Sequence, residues 1–407
     1  MHMIKRTLEK QLLELSAYYP VVVLTGPRQS GKTTLLRHLF PDREYFNLEN
    51  PSTLDMVEAD PTSFIQLHGS QVIIDEAQRF PKLFSHIQVS VDEHRQNGRF
   101  LLSGSQNILL SNAISQTLAG RAAYCELLPL TLSELSATSH VMGKTGDKQD
   151  LINLFNNIFM GFYPGQRSES IPPEIFFDQY IATYVERDVR TMRNIGDLAS
   201  FRGFMRILAG RIGQLLDYSS LANDAGISPG TARNWLSILE ASYLIIILRP
   251  LHNNFGKRYI KSPKVYFIDT GLACRLLGVR RAEELEGHYL RGNLFENFVV
   301  AEIHKEILAR KLDTQMFFFR DAKKNEVDLI LRNASHDCAV EIKAASGFSS
   351  SMLKGLDYWD SLIAQSSLSG ERDDLKKPIR KYLVYAGQPE TVGNTQLVNW
   401  ADTSKFL

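Results

Sequence analysis

Residues 21–34 place a short apolar run, a G-x-x-x-x-G-K-T pattern and the start of a helical pattern in direct succession. The apolar residues 21–24 predict a buried strand, and residues 35–40 continue as an amphipathic helix. A glycine turn between a strand and a helix suits an anion, because backbone N–H groups and the positive helix end point into the turn. The N-terminal part of the chain is therefore restricted to an α/β fold with a phosphate-binding turn.

The residues of this turn have separate expected roles. Lys32 can reach the β- and γ-phosphates of a nucleotide, and Thr33 can place its hydroxyl on Mg²⁺. The alternative is a chance match at the start of an ordinary helix, with no ligand. We expect the cofactors ATP and Mg²⁺, with nucleotide contacts from Gly26, Pro27, Arg28, Gln29, Ser30, Gly31, Lys32, Thr33 and Thr34.

A second apolar run, residues 72–74, ends in two adjacent carboxylates, Asp75 and Glu76. Because the carboxyl end of a parallel strand lies next to the glycine turn, Asp75 suits the outer coordination shell of Mg²⁺. Glu76 suits a base that orients and deprotonates the attacking water. The two motifs together predict ATP hydrolysis as well as ATP binding.

Five apolar runs alternate with amphipathic stretches in the first 135 residues, which predicts parallel strands covered by helices. We place the strands at residues 21–24, 45–48, 72–74, 100–102 and 123–127. A polar turn leaves the fourth strand at the edge where the γ-phosphate is expected. Ser103, Ser105 and Gln106 are therefore candidates for sensing that phosphate, although any strand end can carry such a turn.

Helical patterns at residues 151–200 are interpreted as a helical lid over the nucleotide, after a polar linker at 136–150. Arg121 and Arg187 are candidates for an arginine that contacts the γ-phosphate. A planar, permanently charged donor suits the charge that develops on a transferred phosphoryl group. The alternative for each arginine is a surface or interdomain ion pair.

The bulk properties indicate an ordinary globular protein of two to three domains, since 407 residues exceed one core and 44% are hydrophobic. No apolar run approaches the roughly 18 residues of a membrane span, and the first residues lack a secretory pattern. We therefore expect a cytoplasmic protein without a membrane partner. Cys125, Cys274 and Cys338 are far apart and predict buried thiols. An oligomer is compatible with the sequence, and no motif specifies one.

Residues 201–278 predict a winged helix-turn-helix, with Ser228 and Pro229 opening the second helix and strands at 243–248 and 264–268. The helix has an apolar face of Ala232, Trp235, Ile238 and Leu239, and a polar face of Thr231, Arg233, Asn234 and Ser237. Residues 201–262 hold eight Lys and Arg against three acidic residues, which favours contact with the phosphates of DNA. Winged helices also dock proteins, so a protein partner is the alternative.

Two strand-like runs near the C-terminus, 325–331 and 338–343, are separated by a polar turn. If Arg332 pairs with Asp337, the same antiparallel register sets Asp328 directly opposite Glu341. Two carboxylates would then lie roughly 5 Å apart, which is unfavourable unless a cation lies between them. The register therefore predicts a divalent metal site.

This arrangement, with Glu296 on a preceding helix and Lys343 two residues after Glu341, resembles the PD-(D/E)xK nuclease superfamily. The resemblance implies that Asp328 and Glu341 hold Mg²⁺ and that Glu296 supports the metal or its water. It also implies that Lys343 stabilises charge on the scissile phosphate. The alternative is a degenerate nuclease fold that is kept as a docking surface.

Several motifs of the chain together resemble a large family of prokaryotic AAA-type ATPases. They are the glycine turn, residues 45–49, 73–78, 118–121 and 184–188, and the run Tyr-Phe-Ile-Asp-Thr-Gly-Leu at 266–272. The resemblance implies an α/β P-loop NTPase parallel sheet with a helical lid, then a winged helix and an α/β restriction-endonuclease-like domain. The expected boundaries are 1–135, 151–200, 201–278 and 279–407.

Overall fold

A computed structural model of the chain describes residues 4–105, 117–136, 148–185, 198–251, 260–368 and 377–407. Its N-terminal part is built on a five-stranded parallel sheet with the strand order β2-β3-β4-β1-β5. The strands are β1 (Val21–Thr25), β2 (Glu44–Asn47), β3 (Val72–Asp75), β4 (Phe100–Gly104) and β5 (Ala122–Glu126). The five predicted strands are confirmed to within two residues at each end, and the predicted α/β class is confirmed for this part of the chain.

Alternating side chains of β1 explain why helices cover both faces of this sheet. Val21 and Val23 belong to one buried cluster, and Val22 and Leu24 belong to another. The first cluster includes residues of α3, α4 and α5, and the second includes residues of α1 and α2. These helices are α1 (Glu9–Tyr18), α2 (Lys32–Leu39), α3 (Pro51–Ala59), α4 (Pro61–His68) and α5 (Leu83–Glu93).

A helical middle part follows the first sheet. Its helices are α6 (Leu132–Ser136), α7 (Lys148–Met160), α8 (Pro164–Glu169), α9 (Pro173–Tyr180), α10 (Leu198–Ala209), α11 (Tyr218–Asp224) and α12 (Pro229–Ala241). Ser228 caps α12 as predicted, because its Oγ accepts the N–H of Thr231 at 3.0 Å and Pro229 occupies the first helical position. The predicted apolar face of α12 is buried, with Leu236 added to it.

The C-terminal part is built on an eight-stranded mixed sheet with the order β12-β13-β11-β10-β9-β8-β6-β7. Its strands are β6 (Ile245–Pro250), β7 (Lys264–Phe267), β8 (Thr314–Arg320), β9 (Glu326–Asn333), β10 (Asp337–Ile342), β11 (Ile379–Tyr385), β12 (Glu390–Val392) and β13 (Thr395–Asn399). The helices packed around it are α13 (Thr270–Leu276), α14 (Glu284–Gly287), α15 (Arg291–Arg310) and α16 (Lys354–Leu368). Strand β6 pairs with β7 and also with β8, so the sheet crosses the expected boundary at 278.

The hairpin of β9 and β10 has the predicted register. Arg332 pairs with Asp337, and the pairing continues to Leu329 opposite Val340. The guanidinium of Arg332 donates to Asp337 at 3.0 Å, which fixes the end of the hairpin. Val340 and Ile342 enter the buried cluster that continues through α15, so Glu341 lies on the opposite face of the strand.

Candidate functional site

The glycine turn after β1 adopts a backbone that side chains would obstruct. Gly26 has φ of +148°, and a Cβ added there would lie 2.1 Å from the carbonyl oxygen of Leu127. Gly31 has φ of +92° and directly precedes α2, so the turn closes in a left-handed conformation at the helix start. The turn therefore holds its amide groups around a concave space in front of α2.

Two polar side chains of the turn fit a phosphate chain. Lys32 is buried and its Nζ donates to the carbonyl oxygens of Gly26 and Pro27, both at 2.9 Å. Ser30 Oγ is buried next to Gly26 and has no hydrogen-bond partner within the described residues. A buried hydroxyl without a partner is costly, and a phosphate oxygen would satisfy it.

Asp75, at the end of β3, is the centre of a hydrogen-bonded group beside the turn. Its Oδ2 accepts from Thr33 Oγ1 at 2.6 Å and from Tyr45 OH at 2.9 Å, and its Oδ1 accepts from Ser103 Oγ. Hydroxyl and carboxylate oxygens are the ligands that Mg²⁺ prefers, and Mg²⁺ usually keeps several waters. The pair Thr33 and Asp75 therefore fits a Mg²⁺ ion held on one side by the protein.

Glu76 follows Asp75 with φ of +53°, which turns its side chain out of the strand toward the cavity. Its Oε2 accepts from Gln78 Nε2 at 2.5 Å and from Ser105 Oγ at 3.3 Å. Arg28 lies 4.0 Å from its other oxygen and 3.2 Å from Glu49. The neighbours hold the carboxylate in one orientation, as a water-orienting base requires.

A cavity of about 720 Å³ lies between this turn and the middle helices. The polar wall is formed by residues of the turn, with Arg6, Glu49 and Glu76. The apolar wall comes from Ile4 and from α8, α9 and the loop between them, through Pro164, Ile171, Ile175, Phe176 and Tyr180. The cavity has the size and the mixed lining of a small-molecule site.

Strand β1 is also contacted from the middle of the chain. The hydroxyl of Tyr243 lies 2.7 Å from Thr25 Oγ1 and donates to Glu126 Oε1 at 3.0 Å. Thr25 is the residue before Gly26, and Tyr243 is the second residue after α12. Tyr243 is buried with φ of +57°, an unusual backbone for a large side chain. The segment after α12 thus holds the strand end that carries the turn.

The C-terminal hairpin brings Asp328, Glu341 and Lys343 together. Lys343 Nζ lies 2.8 Å from Asp328 Oδ2 and is also paired with Glu341. Burial and the charge of Asp328 raise the pKa of Glu341 to about 9. A Cβ on Gly355, at the start of α16, would lie 1.9 Å from Glu341 Oε1, so the helix leaves little space beside this carboxylate.

A second lysine occupies the other side of this cluster. Lys264 of β7 is fully buried, 2.8 Å from Glu296 and 2.5 Å from Glu326. Tyr266 OH donates to Glu296 at 2.5 Å, and burial is the largest cause of the raised pKa of Glu296. The sequence analysis missed Lys264, because a lysine at a strand end is usually exposed. Pro263 before it and the apolar run after it carry no signal of an ion pair.

The ammonium group of Lys343 lies beside Asp328 and Glu341, where the sequence analysis expected a metal ion. Among the described residues, no group of three or more His, Cys, Asp or Glu side chains has the arrangement of a metal site. The expected repulsion between Asp328 and Glu341 is relieved by Lys343 and by the raised pKa of Glu341. The structure therefore brings Glu296, Asp328, Glu341 and Lys343 into one cluster, and balances their charge with lysine.

Three families match consecutive parts of the chain. A family described as AAA domain matches residues 18–136, and two domains of unknown function, DUF8612 and DUF4143, match residues 152–283 and 291–399. The uncharacterized protein Rv2008c of Mycobacterium tuberculosis is 33% identical over 329 residues, which cover 80% of this chain and 71% of the relative. The chain belongs to this AAA-domain family.

Two further comparisons are more distant. The uncharacterized protein MJ1544 of Methanocaldococcus jannaschii is 24% identical over 336 residues, covering 76% of this chain and 72% of that protein. A solved structure, the Walker-type ATPase PabY2304 of Pyrococcus abyssi, has a TM-score of 0.43 and 15% identity, covering 67% of this chain and 96% of that one. The AAA-domain match and the geometry of the turn together identify an ATPase-like nucleotide-binding protein.

In this AAA-domain protein Arg121 lies away from the glycine turn. Because Ala122 pairs with Val21 at the start of β1, Arg121 lies at the edge of the sheet opposite the turn, about 13 Å away along the strand. It is bound there to Asp92 at 2.6 and 2.8 Å. Arg121 therefore does not reach the turn of its own chain, and the alternative for this candidate, a surface ion pair, is observed. Arg187 and Gln106 lie outside the described residues.

Other expectations for this AAA-domain protein concern its surface and its cysteines. All three cysteines are free and buried, as predicted. On α12, Arg233 and Ser237 are exposed, and Arg233 lies over the ring of Tyr218 at 5.1 Å. Lys257 and Arg258, counted in the basic region, lie outside the described residues. No helix of the described part is long and apolar enough to span a bilayer.

Proposed function

We propose that the protein is a Mg²⁺-dependent ATPase that acts on nucleic acid or is regulated by it. The observation that carries the proposal is the convergence of Lys32, Thr33, Asp75 and Glu76 at one edge of the first sheet. Each group would have a different function in phosphoryl transfer. Lys32, Thr33 and Glu76 line one side of the cavity, and Asp75 accepts a hydrogen bond from Thr33.

The residues of the turn would bind the phosphates by exchanging internal partners for the ligand. Lys32 would leave the carbonyls of Gly26 and Pro27 for the β- and γ-phosphates, and Ser30 Oγ would gain an acceptor. When bound, Mg²⁺ would neutralise charge on the same phosphates, and Thr33 and Asp75 are the residues that would hold it.

Glu76 would orient the attacking water and take its proton. Ser105 and Gln78 hold its carboxylate from the protein side. The apolar wall contributed by α8 and α9 would bind the adenine ring of ATP and exclude water from the reacting phosphate. In this proposal the middle helices act as the lid that was expected from residues 151–200.

Nucleic acid is proposed as the partner because the part after the lid has the expected order of a winged helix. Helices α11 and α12 are followed by the antiparallel pair of β6 and β7. The exposed residues Arg233 and Ser237 of α12 are suited to phosphate and base contacts. We therefore propose that this surface binds DNA.

The test is ATP turnover by the full chain with Mg²⁺, without DNA and with single-stranded, duplex and forked DNA. The proposal expects turnover that DNA changes, and Lys32→Ala as the control should abolish nucleotide binding. A rate that is indifferent to every DNA form would contradict the role of nucleic acid. No binding of Mg·ATP in calorimetry would contradict the whole proposal.

The C-terminal cluster supports two different functions. The order of Glu296, Asp328, Glu341 and Lys343 suits a Mg²⁺-dependent nuclease, in which Lys343 stabilises charge on the scissile phosphate. The lysines that already neutralise the cluster favour the second candidate, a nucleotide-gated protein-interaction switch with an inactive nuclease-like domain. Nicking of DNA with Mg²⁺ or Mn²⁺, lost in Asp328→Ala and Lys343→Ala, would support the nuclease. Absence of nicking by the unmodified protein would support the switch.

A further inference from the structure

A buried arginine in the polar wall of the cavity also binds the backbone of the glycine turn. Arg6 Nη1 donates to the carbonyl oxygen of Ser30 at 2.8 Å, and Nη2 donates to the carbonyl oxygen of Leu128 at 2.7 Å. Its Nε donates to Glu134 at 3.1 Å. One planar guanidinium thus fixes the turn to the segment that follows β5, which we name the connector, residues 128–134.

The other side of the connector is bound by α15. Lys305 Nζ donates to the carbonyl oxygen of Leu130 at 2.7 Å, and Glu302 accepts the N–H of Leu132 at 2.8 Å. Ser133 Oγ donates to Glu306 at 2.5 Å. Lys305 also lies 4.0 Å from the centre of the Phe162 ring, inside the main core. Because Glu302, Lys305 and Glu306 lie within little more than one helical turn, these three contacts join the connector to one face of the helix.

Helix α15 extends from the connector to the lysine–carboxylate cluster. It spans Arg291–Arg310, a rod of about 30 Å, and Glu296 lies about 14 Å along the axis from Lys305. Because Glu296 is bound to Lys264, a shift of the helix changes the geometry of the cluster. Polar contacts at the connector, the body of α15 and the Glu296–Lys264 pair thus connect Ser30 to Lys264.

We propose that the connector transmits nucleotide occupancy to the C-terminal cluster, with Arg6 and Lys305 as its positioning residues. The proposal rests on the proposed function, because it requires a nucleotide at the glycine turn. Phosphate binding moves the carbonyl of Ser30, Arg6 carries that displacement to Leu128 and Glu134, and Lys305 and Glu302 carry it to α15. The C-terminal domain is then regulated by the nucleotide through α15.

The test is hydrogen exchange of the full chain, measured by mass spectrometry with and without Mg²⁺ and the non-hydrolysable analogue AMP-PNP. We expect AMP-PNP to slow exchange in α2 and also in the connector and α15. In Lys305→Met, which removes the donor but keeps an apolar stem of similar length, we expect slowing in α2 and none in α15. Arg310→Met, at an exposed position of the same helix, is the matched control and should respond like the unmodified protein.

The difference in the exchange rate of α15 with and without AMP-PNP distinguishes transmission of nucleotide binding from a general effect of the substitution on stability. A structural loss in Lys305→Met would speed exchange in both states equally and leave that difference unchanged, which would overturn the proposal. Slowing confined to α2 in the unmodified protein would also overturn it, while leaving nucleotide binding intact. No slowing anywhere, together with no heat of binding, would instead refute the proposed function and this inference with it.

Arg6→Lys provides a second measurement, because lysine keeps the charge and cannot reach Ser30 and Leu128 together. We expect about tenfold weaker binding of Mg·AMP-PNP, the fold-change that corresponds to one lost charge-assisted hydrogen bond. In Lys305→Met the affinity should change by less than about threefold, since its contacts lie beyond the connector. Equal affinity losses in both variants would contradict the assigned order of contacts.

Discussion

The hydroxyl of Tyr243 allows a direct test of how the middle of the chain supports the glycine turn. Tyr243→Phe keeps the buried ring and its left-handed backbone, and removes only the contacts to Thr25 and Glu126. A neutral hydrogen bond contributes about 1 kcal/mol and a bond to a half-buried carboxylate about 1.5 kcal/mol. We therefore expect the free energy of unfolding to fall by about 2.5 kcal/mol.

The assay is urea unfolding of the full chain, with Tyr18→Phe as the control. Tyr18 is 69% exposed on α1, so its hydroxyl is solvated and its loss should cost less than about 0.5 kcal/mol. Calorimetry should show weaker binding of Mg·ATP to Tyr243→Phe, because the strand end before Gly26 loses a support. A destabilisation no larger than that of the control, with unchanged affinity, would refute the reasoning.

The pH dependence of the same variant gives an independent check. Burial raises the pKa of Glu126 above its ordinary value of 4.5, and the hydrogen bond from Tyr243 opposes that rise. A raised folded-state pKa means that the folded protein holds the proton longer than the unfolded chain, so stability falls as pH rises through that interval. Without the hydrogen bond from Tyr243 the pKa of Glu126 in the folded protein is higher still, so stability falls over an interval that extends to higher pH. The loss in free energy of unfolding of Tyr243→Phe, relative to the unmodified protein, should therefore grow as the pH rises above 4.5 and be smallest below it.

Three other substitutions test separate parts of the two sites. Glu76→Gln should retain binding of Mg·ATP and lose about 10²–10⁴-fold in turnover, measured by phosphate release, because an amide cannot accept the proton of water. Gly26→Ala should destabilise the protein by more than about 3 kcal/mol in urea unfolding, since its Cβ would lie 2.1 Å from the oxygen of Leu127. Glu341→Gln should gain stability relative to the unmodified protein as pH rises between about 4.5 and 9, because the folded state holds a proton on Glu341 until its pKa of about 9.

The features that sequence predicted well depend on local chemistry. The strand before Gly26, the carboxylates at the end of β3 and the cap at Ser228 each follow from the immediate neighbours along the chain. The register of the β9–β10 hairpin followed from its short turn, because one pair of opposite residues fixes all the others. Such features need no knowledge of the tertiary fold.

The features that sequence missed depend on contacts between distant segments. Arg6 lies 122 residues from Leu128, and its side chain resembles that of any basic residue near an N-terminus until the first sheet is assembled. Arg121 was assigned to the nucleotide because arginine suits phosphate, but only strand pairing shows which edge of the sheet it occupies. Residue type indicates what a side chain can bind, and topology decides what it reaches.

The two lysines at the sites differ in what a ligand must displace. Lys32 is bound to the carbonyls of Gly26 and Pro27, so moving it to a phosphate exchanges neutral acceptors for charged ones, which is favourable. Lys343 is bound to Asp328 and Glu341, and a divalent ion entering between them would have to displace its ammonium group from the ion pair with Asp328. Lys343→Met should therefore raise the affinity of the cluster for Mn²⁺ by at least about tenfold in calorimetry without nucleotide. Lys354→Met, at an exposed position, is the control. If Mn²⁺ binds the unmodified protein as tightly as it binds Lys343→Met, the ammonium group of Lys343 does not occupy a metal site. That result would favour the nuclease over the protein-interaction switch.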